Sequence, residues 1–172
     1  MAAYPQEWER HLTLSNGQAV FVRPIRPDDE PLYGPFVAAV TPDDIRLRFL
    51  GSMKELSHAL LTYFTHVDYQ HAMAFVALDE TSGDMLGVAR LHNVAADSGE
   101  YAILIRSDLK SHGLGWQLMQ LIIEYARARS LRAIEGKVLH ENTAMLDMCR
   151  ALGFRIEGDP ADAALCNVKL AL

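Results

Sequence analysis

One stretch, residues 100–130, constrains the fold of this chain more than any other. Glu100 opens an apolar, β-branched run through residue 105, which is typical of a buried strand. A polar turn follows, and Gly113 and Gly115 then stand directly before a helical pattern. Apolar residues recur there at the spacing of one buried stripe, at Leu114, Leu118, Leu121, Ile122 and Tyr125. The predicted order is strand, glycine loop and helix, with the helix ending near residues 129–130.

The glycine loop has the features of an anion-binding site. Glycines allow close approach of the backbone and unusual dihedral angles, and the first N–H groups of a helix have no partner inside it. Together with the positive end of the helix dipole, these donors favour a phosphate or diphosphate. The side chains of Lys110, Ser111 and His112 can add further donors. Such glycines also occur in turns that bind nothing, so the pattern alone leaves both interpretations open.

Two common nucleotide-binding motifs do not fit this loop. The third glycine of G-x-G-x-x-G would fall on Leu118, and no acidic residue stands about twenty positions further on at the end of a second strand. The lysine and hydroxyl that follow the last glycine of a P-loop are also missing. The sequence therefore disfavours both a dinucleotide-binding domain and a P-loop nucleotidase.

A family resemblance rests on several motifs that occur in the same order. The acyl-CoA core of the GNAT N-acetyltransferases is similar to Lys110-x-x-Gly113-x-Gly115, Val138-Leu139-x-x-Asn142 and Leu152-Gly153-Phe154. A closer resemblance covers nearly the whole chain. It is to the GNAT domain of bacterial protein lysine acetyltransferases that modify acyl-CoA synthetases, and it rests on residues 23–30, 67–69, 72–77 and 100–110.

The resemblance implies a fold, a cosubstrate and a set of site residues. The fold would be α/β (α+β), a mixed and mostly antiparallel sheet of about 6–7 strands flanked by helices. The partners would be acetyl-CoA and a protein substrate with an acceptor lysine, and Glu100 would be the catalytic base. The backbone of the splayed strand and the glycine loop would hold the cosubstrate through Ile103, Leu104, Ile105, Lys110, Ser111, His112, Gly113, Leu114, Gly115, Trp116 and Asn142.

Glu100 can also be argued from chemistry. A lysine of pKa about 10.4 costs about 4–5 kcal/mol to deprotonate at pH 7, so a general base is useful. Glu100 precedes an apolar run on a central strand, where burial would favour a protonated carboxyl. The alternative is a solvated carboxylate or an ion pair with Arg90 or Arg106. Glu135 is the second candidate base.

The second predicted helix departs from the family pattern. Many GNAT enzymes place a tyrosine seven residues after the asparagine, as the acid that protonates departing CoA, but this chain has Cys149 there. A thiol of pKa about 8.5 can protonate a thiolate of similar basicity, although a buried helix cysteine more often only packs. Asn142 itself opens the helix and can serve as its N-cap, with a contact to CoA added by the resemblance.

Composition argues against some classes of partner. The net charge of −6 and the pI near 5.6 disfavour a general nucleic-acid binder, which normally shows a basic face. No run of eighteen apolar residues predicts a membrane span, and the N-terminal residues have no apolar signal core. The two cysteines, Cys149 and Cys166, lack metal-site spacing and are predicted to be free thiols in a reducing compartment. The sequence therefore predicts a cytoplasmic protein without a metal.

The remaining elements follow from turn and cap signals. Residues 1–18 are expected to be a lead-in, and residues 1–172 a single domain. Strands are predicted at 19–23, 72–78, 85–94, 100–105, 131–140, 154–156 and 165–172. A first helix is predicted from Asp28 or Asp29 through about Val40, and a second begins after Thr41 as its cap. Two more are predicted over residues 55–64 and 142–152. Met53, in the region of the third helix, is expected to belong to the core.

Two other functions stay open at this stage. The same fold would acetylate a small amine, which predicts turnover of polyamines, amino acids or aminoglycosides. A CoA-sensing module without catalysis is the other, since proteins of the lysine acetyltransferase family often fuse this domain to a ligand-binding or synthetase-like region. The chain is compatible with a stand-alone protein and with one domain of a larger one.

Overall fold

Eight strands form one sheet in the computed structural model, which describes residues 3–50 and 56–172. The strand order is β1-β2-β3-β4-β5-β6-β8-β7, and every neighbouring pair is antiparallel except β5 and β6. The mixed, mostly antiparallel sheet is confirmed. The strands are β1 Arg10–Thr13, β2 Ala19–Pro24, β3 Ala72–Asp79, β4 Met85–Ala95, β5 Ser98–Ile105, β6 Ala133–Leu139, β7 Arg155–Gly158 and β8 Leu165–Ala171.

The sheet has one strand more than the upper prediction because β1 lies within the expected lead-in. β1 pairs with β2 from Arg10↔Val22 to Thr13↔Ala19. A short 3₁₀ turn, Gln6–Trp8, precedes it. Its four residues alternate only weakly between half-buried and exposed, so a four-residue edge strand gives little periodicity to detect.

Helices cover both faces of the sheet. They are α1 Tyr33–Ala38, α2 Pro42–Phe49, α3 His58–Thr65, α4 Leu114–Ala128 and α5 Thr143–Leu152. α4 and α5 pack on one face, around a core that includes Leu118, Ile122 and Leu146. α1, α2 and α3 pack on the other, around Phe36, Ile45 and Phe64. None of the described helices is long and apolar enough to cross a membrane.

The helix predicted from Asp28 or Asp29 to Val40 is broken in two. A 3₁₀ segment, Pro27–Leu32, precedes α1, and its N-cap is Arg26. Asp29 is instead buried in a two-pronged ion pair with Arg23 (2.6 and 2.8 Å) and accepts the Arg26 N–H. Pro35 stands past the first turn of the predicted helix and has no N–H to donate to the carbonyl of residue 31, so one α-helix cannot continue through it.

The other helix signals agree with the structure. Thr41 caps α2 by accepting the Asp44 N–H, with proline at the first helical position. α3 starts at His58 after Ser57, which accepts the Leu60 N–H. Residues 53 and 55, part of the predicted third helix region, lie outside the described residues. Asn142 caps α5 by accepting the Met145 N–H at 3.2 Å, as predicted.

The sheet opens between β5 and β6. Their parallel pairing covers only Ser98↔Ala133, Gly99↔Ile134 and Glu100↔Glu135. β5 then continues to Ile105 and β6 to Leu139 without further pairing. The two strands therefore diverge directly after Glu100, and a V-shaped gap lies in the middle of the sheet.

Candidate active site

The glycine loop presents free backbone donors at one end of this gap. Gly113 has φ +93°, a left-handed conformation that glycine adopts without penalty, and caps α4. The first hydrogen bond of the helix runs from Gln117 N–H to Gly113 C=O at 3.1 Å. The N–H groups of Leu114, Gly115 and Trp116 therefore have no acceptor within the helix. Such a set of donors at a helix N-terminus suits a phosphate or diphosphate.

The predicted unusual dihedral angle is found at Gly113 but not at Gly115. Gly115 lies inside α4 with helical dihedral angles, and a Cβ there would stand 3.1 Å from Ile105 Cδ1. The helix start thus packs closely against the end of β5. The left-handed residue beside Gly113 is Ser111, at φ +71°.

Two distant segments hold the loop in place. Ser15, in the β1–β2 turn, donates its N–H to the His112 carbonyl at 3.1 Å. Asp44 on α2 accepts a hydrogen bond from Lys110 Nζ at 2.6 Å and one from Ser107 Oγ at 2.5 Å. Burial alone would raise the pKa of Asp44, but these two hydrogen bonds outweigh it and lower the pKa. The Lys110 ammonium, predicted as a free donor, is therefore already paired.

The open edge of β5 presents backbone groups to the gap. Arg106 donates its N–H to Leu86 on β4 at 3.0 Å. Because backbone groups alternate in direction along a strand, Leu104 also faces β4, whereas the N–H and C=O groups of Ile103 and Ile105 face the gap. Ile103, Leu104 and Ile105 were predicted to hold the cosubstrate. Of these three, Ile103 and Ile105 have backbone groups directed into the gap, and Leu104 does not.

Glu100 lies at the closed end of the gap. Its side chain is 37% exposed, so the burial expected from its apolar neighbours is not found. His92 is its partner on β4, with Nε2 3.9 Å from the carboxylate, and Glu135 is its partner on β6. The two alternative ion pairs are absent, since Arg106 binds Asp108 instead and Arg90 donates to a backbone carbonyl.

A charged groove begins at Glu100 and crosses the uncovered half of the sheet. Its volume is about 470 Å³, and its charged residues are Glu100, Glu135, Lys137, Arg155, Glu157 and Lys169. Glu135, Lys169 and Arg155 follow one another as register partners on β6, β8 and β7. The groove is open to solvent and reaches the Glu100 carboxylate.

An arginine pair lies on the other side of Glu100, and sequence reasoning missed it. Arg90, on β4, donates to the Phe64 carbonyl at 2.8 Å, and its guanidinium lies 5.0 Å from the Phe64 ring centre. Arg48, on α2, lies 4.4 Å from the centre of the Phe49 ring. Burial, and then the charge of Arg90, lower the pKa of Arg48 to about 10. No local sequence pattern predicts this pair, because α2 and β4 come together only through packing.

Cys149 lies on the opposite face of the sheet from Glu100. Its side chain has no exposed surface, and its sulfur is 3.3 Å from the Tyr101 hydroxyl. Burial raises the pKa of the thiol, and the contact with Tyr101 opposes that shift. The thiol thus stays protonated at neutral pH. Both cysteines are free and buried, as predicted.

Comparison with known proteins identifies the family. Residues 44–154 match the profile of the Acetyltransferase (GNAT) family. This chain belongs to the GNAT acetyltransferase family. Enzymes of this family use acetyl-CoA as cosubstrate, and the free amides at the start of α4 and the open edge of β5 are chemically suited to its diphosphate and its amide-bearing arm.

Three curated relatives share sequence with this chain, and the name of one of them states its acceptor. Acetyltransferase PA5475 of Pseudomonas aeruginosa is 36% identical over 164 residues, 93% of this chain and 88% of that protein. Acetyltransferase Pat of Mycolicibacterium smegmatis is 29% identical over 81% of this chain and 42% of its own length. An L-methionine sulfoximine/L-methionine sulfone acetyltransferase of Pseudomonas paraeruginosa is 33% identical over 46% of this chain and 49% of its own. This chain therefore spans less than half of the last two proteins.

A solved structure has the same fold along its whole length. The GNAT domain of S. lividans PAT superposes with a TM-score of 0.91 at 24% identity, covering 99% of this acetyltransferase and 100% of that chain. At that identity, the likeness establishes the shared fold.

Proposed function

We propose that this enzyme is a protein lysine N-acetyltransferase that moves an acetyl group directly from acetyl-CoA to a lysine amine, with Glu100 as general base. The observation that carries the proposal is the end of β5–β6 pairing at Glu100↔Glu135. Glu100 thus lies at the closed end of the gap, beside the charged groove, and the open edge of β5 leads from it to the N-terminus of α4. Residues 1–172 form the catalytic domain in this proposal.

The cosubstrate is held mainly by backbone groups. The amides of residues 114–116 bind the diphosphate, and the groups of Ile103 and Ile105 bind the pantetheine arm. Ser111, His112, Trp116 and Asn142 add contacts along it, while Lys110, fixed by Asp44, contributes positive charge. Acetyl-CoA supplies the activated acyl carbon. An N–H of the β5 edge that faces the thioester oxygen would stabilise developing charge by about 3 kcal/mol.

Glu100 has the task of removing the proton from the acceptor. An ordinary lysine ammonium is charged at pH 7, and a general base is worth about 10²–10⁴ in rate. The half-exposed carboxylate accepts that proton through water, and the neutral amine then attacks. Glu135 stands beside it on the same face and is the second candidate for this role.

Three observations support a lysine on a protein as the acceptor. Residues 23–30, 67–69, 72–77 and 100–110 resemble the motifs of protein lysine acetyltransferases that act on acyl-CoA synthetases, and we name such a synthetase as the target. The charged groove provides an open approach for a side chain carried by a folded partner. The net charge of −6 favours binding to a lysine-bearing surface of a partner.

The proposed compartment is the cytoplasm. It is supported by the free thiols of Cys149 and Cys166, which are typical of proteins in a reducing environment.

A small amine is the second candidate acceptor. It is favoured by the 33% identity to an acetyltransferase of methionine derivatives over 84 residues. This function predicts turnover of a free amino acid or polyamine at a rate that rivals that of any protein.

The deciding experiment is incubation of the purified protein with labelled acetyl-CoA and a proteome lysate. We expect labelled lysines, concentrated on few proteins, that disappear with Glu100→Gln. Glu7→Gln is the matched control, because Glu7 is exposed and forms no ion pair within the described residues. Equal labelling by the Glu100 variant would remove this residue from the mechanism. Tight binding of acetyl-CoA without any labelled acceptor would favour a sensing module.

A further inference from the structure

The arginine pair is not neutralised by any described carboxylate. Neither Arg48 nor Arg90 forms a salt bridge within residues 3–50 and 56–172, although most other arginines of the chain do. Arg90 makes a single hydrogen bond, to Phe64 O, and Arg48 makes none there. A guanidinium carries five N–H donors. Most donors of the pair therefore have no acceptor among the residues that the structure describes.

A buried hydroxyl lies near Arg90. Tyr33 is 3% exposed, and its hydroxyl has no hydrogen-bond partner among the described residues. Its ring stacks on that of Phe64, 5.5 Å between centres, beside the Arg90 guanidinium. Burial raises the pKa of Tyr33, and the nearby charge of Arg90 opposes the rise. The hydroxyl stays protonated and remains available as a donor.

The pair faces the same space as the proposed base. Arg90 is the register partner of Ala102, two residues along β5 from Glu100. Diagonal neighbours of this kind have side chains on one face and about 7–8 Å apart. The Glu100 carboxylate also acts to raise the pKa of Arg48. An acceptor amine at Glu100 would thus lie on the same face as Arg90, about 7–8 Å along the strands, and within the electrostatic reach of Arg48.

The positive charge of Arg48 and Arg90, which no described carboxylate neutralises, indicates an anionic ligand. Partly desolvated like charges are costly unless a partner neutralises them, and arginine is the side chain best suited to bind a carboxylate in two-pronged fashion. We infer that Arg48, Arg90 and the Tyr33 hydroxyl form a subsite for a carboxylate that the acceptor carries close to its amine. This inference rests on the proposed acetyl transfer to an amine and adds a chemical requirement to the acceptor.

Two sources can supply such a carboxylate. One is an Asp or Glu side chain next to the target lysine on a protein. The other is the carboxylate of a free amino acid. Both give the subsite the same ligand, so acceptors are compared as matched pairs in which only the carboxylate is replaced by an amide.

The test measures both transfer and binding. Lysine peptides with a flanking Glu or Gln form one arm, and free amino acids with their amides form the other. In one arm, we expect the acceptor with the carboxylate to react at least about tenfold faster than its amide counterpart. The arm that shows this difference identifies whether the carboxylate comes from a protein side chain or from a free amino acid. Arg48→Gln and Arg90→Gln should each reduce this preference, and the double variant should abolish it. Arg127→Gln, on the exposed surface of α4, should leave it unchanged.

Binding without turnover separates this inference from the proposed function. Calorimetric titration of each acceptor pair into the CoA-bound protein should show tighter binding of the carboxylate member, and Arg48→Lys should keep part of the difference if a glutamine variant folds poorly. Equal binding of both members in both arms overturns the subsite, whether or not any acceptor is acetylated. A clear carboxylate preference without transfer keeps the subsite and overturns the proposed function.

Discussion

The two sides of the gap present different kinds of binding group, backbone groups on one side and side chains on the other. On the side of α4, the candidate binding groups are backbone amides and carbonyls, from residues 114–116 and from β5. On the side of α2 and β4, they are side chains: Glu100, Arg48, Arg90 and Tyr33. A side built from backbone depends on where a strand ends and a helix begins. A side built from side chains depends on which distant elements pack together.

This difference explains how one fold can keep one cosubstrate and change its acceptor. Substitutions of side chains on the α4 side leave the free amides in place. Substitutions of the same kind on the acceptor side remove the groups that would recognise the acceptor. We expect variants of the two sides to separate cleanly, one set altering affinity for acetyl-CoA and the other altering turnover or acceptor choice.

The largest expected effect is on the acceptor side. Glu100→Gln should lower kcat by about 100-fold or more, because the proposed base is lost, and should leave affinity for acetyl-CoA within about twofold. Steady-state rates with the best acceptor, and titration with CoA, measure the two quantities. Glu135→Gln, the neighbour on β6, should cost far less. A larger loss with Glu135→Gln would exchange the roles of the two carboxylates.

The next effect is on the cosubstrate side. Gly113→Ala should weaken CoA binding about tenfold, because alanine at φ +93° costs about 1–2 kcal/mol and shifts the free amides. Gly83→Ala in the β3–β4 loop is the matched control, with φ +78° and equally free space for a Cβ. Both variants should lose similar thermal stability, and only the first should lose CoA affinity. Parallel losses of affinity would contradict a backbone-built site.

A smaller effect concerns the tie between the two sides. Asp44 has a lowered pKa, so its stabilising contribution is complete above the ordinary value of 3.8 and disappears as the pH falls through the lower, folded-state value. Asp44→Asn should therefore cost about 1 kcal/mol at pH 7, a shift of a few degrees in Tm. Melting curves of both proteins should converge below pH 3.8. A difference that stays the same from pH 7 down to the lowest pH at which both proteins fold would show that packing, and not charge, is what the residue contributes.

The smallest expected effect concerns the candidate acid. Cys149 has no exposed surface, and its hydrogen bond to Tyr101 lies on the face away from Glu100. Cys149→Ala should change kcat by less than about threefold and cost about 1 kcal/mol of stability. Cys149→Ser, which keeps a proton donor, is the control. A large loss of kcat with alanine that serine restores would establish the thiol as the acid.

The sequence predicted the elements around the gap better than the elements around the acceptor. The order of strand, glycine loop and helix was readable because apolar periodicity and glycine act within a few residues. The caps at Thr41 and Asn142 were readable for the same reason. The prediction of one helix from Asp28 or Asp29 to about Val40 was wrong, because the buried pair of Asp29 with Arg23 overrides the local signal.

By itself, the sequence determined the glycine loop, the strand that leads to it and the family to which they belong, since these are properties of short, contiguous stretches. Only the tertiary structure decided that Asp44 pairs with Lys110, that Leu104 faces β4, and that Arg48 meets Arg90 beside Tyr33. The physical reason is separation along the chain. Contacts between residues that lie far apart in the chain depend on the pairing of strands and on the packing of whole helices on the sheet, which no local pattern encodes.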